Sequence, residues 1–164
     1  MENSHPRSKK KLILVSLGSV LLVAVAAAGV TWLMKCPCDR IPGTYLVGEE
    51  VQAPVSDWSF ANSEPLCQIE VGNLLPHSVN LNCMAVDGEL FLSCAGCDGK
   101  HWSTIALENQ QGRIRIGTRV YPVSLQRVTD PEILDAAWKG RADKLGREPQ
   151  PRADGWWSFR LESI

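Results

Sequence analysis

Charge is missing from this sequence in one long block. Leu12 to Met34, 23 consecutive residues, contains no acidic or basic side chain. Over all 164 residues, 17 Lys and Arg offset 18 Asp and Glu to a formal net charge of −1. That balance excludes the basic bias through which proteins hold nucleic acid, so no nucleic-acid partner is expected. Cysteine is absent from the first 35 residues and present six times afterwards. There is no ordered Ser-His-Asp set, no glycine loop of the nucleotide-binding kind and no defensible pair of catalytic carboxylates. No lipid-attachment box precedes Cys36 either, because the cation Lys35 stands directly before it.

The uncharged block is itself informative. At 1.5 Å per residue a helix of that length measures roughly 34 Å, enough to cross a hydrocarbon core of about 30 Å. Ala26-Ala27-Ala28 also looks like the processing site of a secretory signal. The apolar run nevertheless continues through Val30, Trp32, Leu33 and Met34, which a removed signal does not need, and Trp32 stands where an interfacial aromatic belongs. An uncleaved single span is expected. Arg7, Lys9, Lys10 and Lys11 precede it, against Lys35 and Arg40 after it, which puts the N-terminus in the cytoplasm. The rest of the chain is then expected in the periplasm or outside the cell, carried by the plasma (inner) membrane.

Cysteine usage fits that placement. Cys36, Cys38, Cys67, Cys83, Cys94 and Cys97 all follow the span, an even number on the side where disulfides persist. Six cysteines permit fifteen pairings. Cys94-x-x-Cys97 alternatively reads as a redox dithiol, and together with Cys36 and Cys38 as a four-thiolate zinc site. A structural bridge, within the corner or from it to Cys36 or Cys38, is the default.

Residues 35–64 carry repeated proline and glycine and read as a tether, with a short strand at Thr44 to Val47. Asp57 caps a helical turn bearing Trp58 and Phe60. Beyond it, Leu66 to Val71 and His77 to Val86 alternate apolar with polar residues and form a hairpin. If Val71 faces Val79, Cys67 falls opposite Cys83, and a cross-strand bridge is the natural proposal. The central stretch, Asp87 to Asn109, reads as a tight Asp87-Gly88 turn, a strand to Cys94, a glycine-bearing corner, and a helix from about His101 to Asn109. Unpaired N–H groups at that corner, with Lys100 and His101 beside them, invite an anion. A further hairpin follows, with Arg113 and Arg115 outward and Ile114 and Ile116 inward. A helix then opens at Thr129-Asp130-Pro131-Glu132, and a last strand runs from Trp156 to Glu162 with Trp157, Phe159 and Leu161 inward. Six strands with two helices inserted predict a mainly β (α+β) domain, most economically a small antiparallel barrel. The expected organisation is a cytoplasmic basic tail (1–11), a transmembrane helix (12–34), a tether with the first barrel contacts (35–64) and the barrel (65–164).

This order of elements resembles the split β-barrel flavoproteins, the superfamily of pyridoxamine-phosphate-oxidase-like proteins and deazaflavin-dependent nitroreductases. The resemblance runs through Asp87 to Leu92, Gly99-Lys100-His101-Trp102, Asn109, Gly112 to Gly117, Val120 to Val123 and Val128 to Pro131. It implies FMN or deazaflavin lying across the barrel, often at a homodimer interface, with the phosphate near the strand-to-helix corner. Lys100 matches the phosphate-meeting cation, Trp102 the aromatic after it and Asn109 the asparagine closing the helix; His101 stands between them. The chain departs from the nitroreductase pattern at Trp102-Ser103-Thr104-Ile105, which lacks the tyrosine and inner asparagine, and at His77-Ser78-Val79-Asn80, where phosphate ligands usually stand. Two functions are consistent with this: a membrane-anchored flavin- or deazaflavin-dependent oxidoreductase acting on a small acceptor such as a quinone, or a cofactor-free binding or assembly module. Haem on His77 or His101 is a further possibility the resemblance allows, because some split barrels bind it.

Overall fold

Six segments with an apolar residue at every second position close on one another as a single antiparallel sheet. The structure, a computed structural model, describes residues 6–72, 74–148 and 150–164, and side chains within 6–10 and 32–35 are left aside. Arg7, Lys9, Lys10, Trp32 and Lys35, on which the expected topology drew, lie outside the described side chains, as does Pro149. The elements are α1 (Pro6–Lys35), β1 (Glu49–Glu50), a 3-10 turn (Ser59–Ser63), β2 (Cys67–Val71), β3 (His77–Val86), β4 (Glu89–Ala95), α2 (His101–Glu108), β5 (Gln111–Ile116), β6 (Arg119–Val128), α3 (Pro131–Lys144) and β7 (Trp156–Ser163). Strand order is β1-β6-β5-β2-β3-β4-β7, and β6 also pairs with β7. The six long strands therefore form a closed barrel with no free edge. Residues Lys11–Thr31 of α1 have a mean hydropathy of 2.5, and the helix is long and apolar enough to cross a membrane.

Turn chemistry sets the hairpins. Asp87 and Gly88 both take positive φ, 51° and 82°, as a two-residue turn matched to strand twist requires, and Val86 pairs with Glu89 across it. Inward positions fill the barrel with Ile69, Val71, Leu90, Leu92, Ile114, Val123, Leu125, Phe159 and Leu161, all essentially without solvent contact. One end is plugged by α2, whose Trp102 and Ala106 join that core. The other is closed by Trp58 and Ala61, with the Trp58 N–H donating to Gly88 O at 2.9 Å and the Trp58 ring meeting Tyr121 at 5.3 Å. Asp57 holds this plug by accepting from the backbone N–H and hydroxyl of Ser59, at 2.8 and 2.6 Å. Those two bonds lower its pKa below the usual carboxylate value.

A second, smaller core lies outside the barrel. There α3 packs on Met84, Phe91 and Trp156, with the rings of Trp138 and Trp156 edge to face at 5.1 Å. Asp130 caps α3 by accepting from the N–H groups of Glu132 and Ile133, and Pro131 starts the helix. Gly140 is required where α3 crosses β3, since a methyl group there would overlap Val86.

Two local expectations change. Val71 pairs with His77, and Cys67 with Leu81, so the β2–β3 register is shifted by two residues from Val71 opposite Val79. Alternation fixes which face a residue occupies, and a two-residue slip preserves every face, so the pattern could not choose between the registers. Thr44 to Val47 is not a strand. The chain there makes an isolated bridge between Gly43 and Ser78, and pairs as a strand only at Glu49–Glu50, parallel to β6.

Residues 36–51 are consequently a strap laid lengthwise on the barrel. It begins beside Ser78, with Gly43 and Ser78 exchanging backbone bonds of 2.9 and 3.0 Å. Gln68 donates to Pro37 O at 3.1 Å and Asn80 to Asp39 O at 2.9 Å. The strap ends at the opposite barrel end, where the N–H groups of Glu49 and Val51 reach Thr118 O and Val120 O.

Candidate functional site

The corner between β4 and α2 is built by its own short sequence. Gly96 and Gly99 take positive φ, 58° and 69°, letting the chain reverse twice within five residues. Cys94 and Cys97 are bonded across it, with Cα atoms 5.7 Å apart. Ser103 Oγ lies 2.5 Å from Cys97 O and 2.9 Å from Lys100 O, one hydroxyl proton serving two carbonyls. Lys100 Nζ donates to Ala95 O at 3.0 Å and so closes the corner on itself.

The four residues that the resemblance assigns to a cofactor are distributed around this helix. Lys100 precedes α2, and His101 starts it, its ring edge to face with that of His77 at 4.8 Å. The two histidines read as isolated in the sequence are therefore neighbours. Burial, and after it the charge of His101, lowers the pKa of His77 from 6.5. Trp102 is only 3% exposed and points into the barrel against Phe159, ring centres 5.3 Å apart. Asn109 ends α2, its Oδ1 accepting from Gln111 N at 3.2 Å. An eight-residue helix separates it from the corner by roughly 12 Å. Lys100 and Trp102 share a shallow cleft of about 260 Å³ with Asp39, Arg40, Val79 and Asn80; His101 and Asn109 do not line it.

One charged group at an outward strand position is covered instead. Glu70 is 6% exposed beneath the strap. Its carboxylate accepts from Leu46 N at 2.5 Å and is gripped by Arg113 through Nε at 3.0 Å and Nη2 at 2.7 Å. Arg113 also meets Glu50 at 2.7 Å and Leu46 O at 3.2 Å, and Arg115 donates to Val47 O at 2.8 Å. Glu70, above all, raises the pKa of Arg113. Opposite charges at outward positions of two strands were the one sequence signal for this buckle.

Lys144 was likewise not singled out. From the last turn of α3 its ammonium reaches Cys83 O at 2.6 Å and Ala61 O at 3.0 Å, with Cys83 Sγ at 3.5 Å, and burial lowers its pKa. It lies beside a groove of about 610 Å³ lined also by Asn62, Val86, Asp87, Lys139 and Asp143.

Cysteine pairing is local throughout: Cys36 with Cys38, Cys67 with Cys83, and Cys94 with Cys97. No free cysteine remains among the described residues. The zinc alternative loses its four thiolates, and no group of three or more His, Cys, Asp or Glu among the described residues is placed to hold a metal. Cys67 and Cys83 bond diagonally, Cα atoms 5.6 Å apart, because Cys67 pairs with Leu81, two residues before Cys83 on β3.

A flavin does not fit these residues as the resemblance arranges them. The aromatic expected to flank the ring is core, the cation is engaged with Ala95, and the cleft is smaller than the roughly 300–1,000 Å³ usual for small-molecule sites. The strap also covers the barrel face formed by β2 and β5.

No protein-family model and no curated protein matches the chain. Solved structures do. A protein described as a pyridoxamine 5'-phosphate oxidase from Listeria innocua aligns over 63% of this chain and 87% of its own, with a TM-score of 0.52 at 8% identity. One described as a 5-nitroimidazole antibiotic resistance protein from Bacteroides thetaiotaomicron covers 78% of this chain and 90% of its own, with a TM-score of 0.53 at 10% identity. ChuZ of Campylobacter jejuni aligns over 63% of this chain, with a TM-score of 0.51 at 11% identity. The fold is thus the split barrel that these structures share, as the order of elements implied.

Proposed function

We propose that this chain is a single-span protein of the plasma membrane, its N-terminus cytoplasmic, whose disulfide-stapled split barrel stands on the outer side as a cofactor-free binding or assembly module. One observation carries the reading: Trp102, the aromatic that the resemblance sets beside a flavin, is turned into the core against Phe159. The visible absorption of detergent-purified full-length protein tests it. A colourless preparation that takes up neither added FMN nor deazaflavin is the expected result, and a bound chromophore overturns it. A reporter fused after Ile164 tests the compartment separately, and activity of that reporter in the cytoplasm removes the outer-side placement.

A second reading has its own support. The Lys100–Trp102 cleft opens at the barrel end from which α1 departs, next to the bilayer in which quinones dissolve. A flavin- or deazaflavin-dependent oxidoreductase reducing such an acceptor would use that placement, with a homodimer enclosing the group that one barrel does not. When bound, the flavin supplies the hydride or electron chemistry. On this reading Lys100, at the start of α2, would have to give up its bond to Ala95 O to meet a phosphate.

A further inference from the structure

We infer that the β2–β3 hairpin tip, through Leu74 and Leu75, inserts into the lipid interface beside the anchor and fixes which way the barrel stands on the membrane. This rests on α1 being the anchor.

Leu74 and Leu75 are 94% and 89% exposed, whereas the other large apolar side chains exposed on the barrel and strap lie between 37% and 55%. Two adjacent leucines held out at a loop tip are adverse in water and suited to an apolar medium. Chain path says which medium. The residue after α1 is Cys36, and a methyl group on Gly43 would overlap its carbonyl, so Cys36 lies against Gly43. Gly43 is bonded in both directions to Ser78. From Ser78 to Leu75 is three residues, at most roughly 10 Å of chain. The leucines are therefore tied close to where α1 leaves its span, within reach of an interfacial layer several ångströms deep.

Nothing slack separates the two. The Cys36–Cys38 bond and the Cys38–Ile41 bridge tighten the first turn of the strap, and the bonds from Gln68 and Asn80 hold it on β2 and β3. At the tip, Pro76 precedes β3 and restricts the loop. The opposite barrel end, with Gly117 and Thr118 in its β5–β6 turn, lies at the far end of the strap and presents no such pair among the described residues.

Full-length protein carrying one nitroxide, at Leu74→Cys, Leu75→Cys, Thr118→Cys or Val23→Cys, is reconstituted in phosphatidylcholine/phosphatidylglycerol vesicles. Collisions with oxygen and with a water-soluble nickel chelate are then measured at each site. Val23 and both leucine sites are expected to favour oxygen and lose access to the chelate, while Thr118 keeps it. Chelate access at both leucine sites with Val23 shielded overturns the inference and leaves the anchor standing. Leucine labels shielded from both collision partners mean a protein cover, a second copy included, and also overturn it. Chelate access at Val23 fails the anchor itself, and the inference with it.

Discussion

Glu70 shows what a single residue contributes here and what the sequence could not say about it. Alternation in β2 places it on the outward face, and it does point outward, yet the strap crosses over it. Burial supplied by a segment 24 residues upstream leaves no trace in a period of two. The same holds for Trp102, whose helical position fits a ring-stacking role as well as a plug. Removing the carboxylate leaves Arg113 and Leu46 N covered without their main partner. Glu70→Ala is expected to lower stability by about 3 kcal/mol, the low end for breaking a buried pair, since Arg113 keeps Glu50. Urea denaturation followed by tryptophan fluorescence measures it, and a loss no larger than that of a surface carboxylate would show the buckle to be idle.

His77 offers a pH test at the same scale. With its folded pKa depressed below 6.5, the unfolded chain takes up the proton first. The associated stability is complete above 6.5 and declines as pH falls from there through the folded value. NMR should show His77 titrating below 6.5. His101→Ala should move it only part of the way back, because burial is the larger cause. The slope of stability against pH just under 6.5 should flatten in His77→Gln.

Among elements, the hairpins were the most legible. Asp87-Gly88 and Gly117 announce their turns, Asp130-Pro131 announces α3, and alternation marks the six barrel strands. Register was not legible, for the reason given by the two-residue slip, and neither was the small outer core, because α3 and Trp156 reveal their partnership only in three dimensions. The Cys67–Cys83 bond spans 16 residues and joins β2 to β3 inside the barrel. Replacing both cysteines by alanine is expected to cost about 3 kcal/mol, the loop-closure figure for a ring of that size. Cys36 and Cys38, two residues apart, close a far smaller ring, and the same double replacement there should cost distinctly less. Parallel denaturation of the two variants compares them, and equal losses would contradict the loop-length argument.

For the whole molecule, the sulfur pattern joins compartment to structure. Because the cysteines are largely buried, the protein is denatured before labelling; it should then take up no maleimide until reductant is added, and afterwards label at six positions. Ready labelling without reductant would place the barrel in a reducing compartment and undo the pairing.

The strap also governs motion. On the proposed membrane anchor, a loosely joined ectodomain would wobble at the end of its leash and sample a wide volume above the lipid. Here the leash is spent on the barrel wall, stitched from Pro37 to Val51, so little free chain remains to act as a swivel. If α1 is the proposed anchor, the swivel available to the body is confined to the junction of α1 with the strap at Cys36. On that reading a partner would meet the barrel from a restricted set of directions, and a rotation imposed on the helix would be passed to the barrel through the strap.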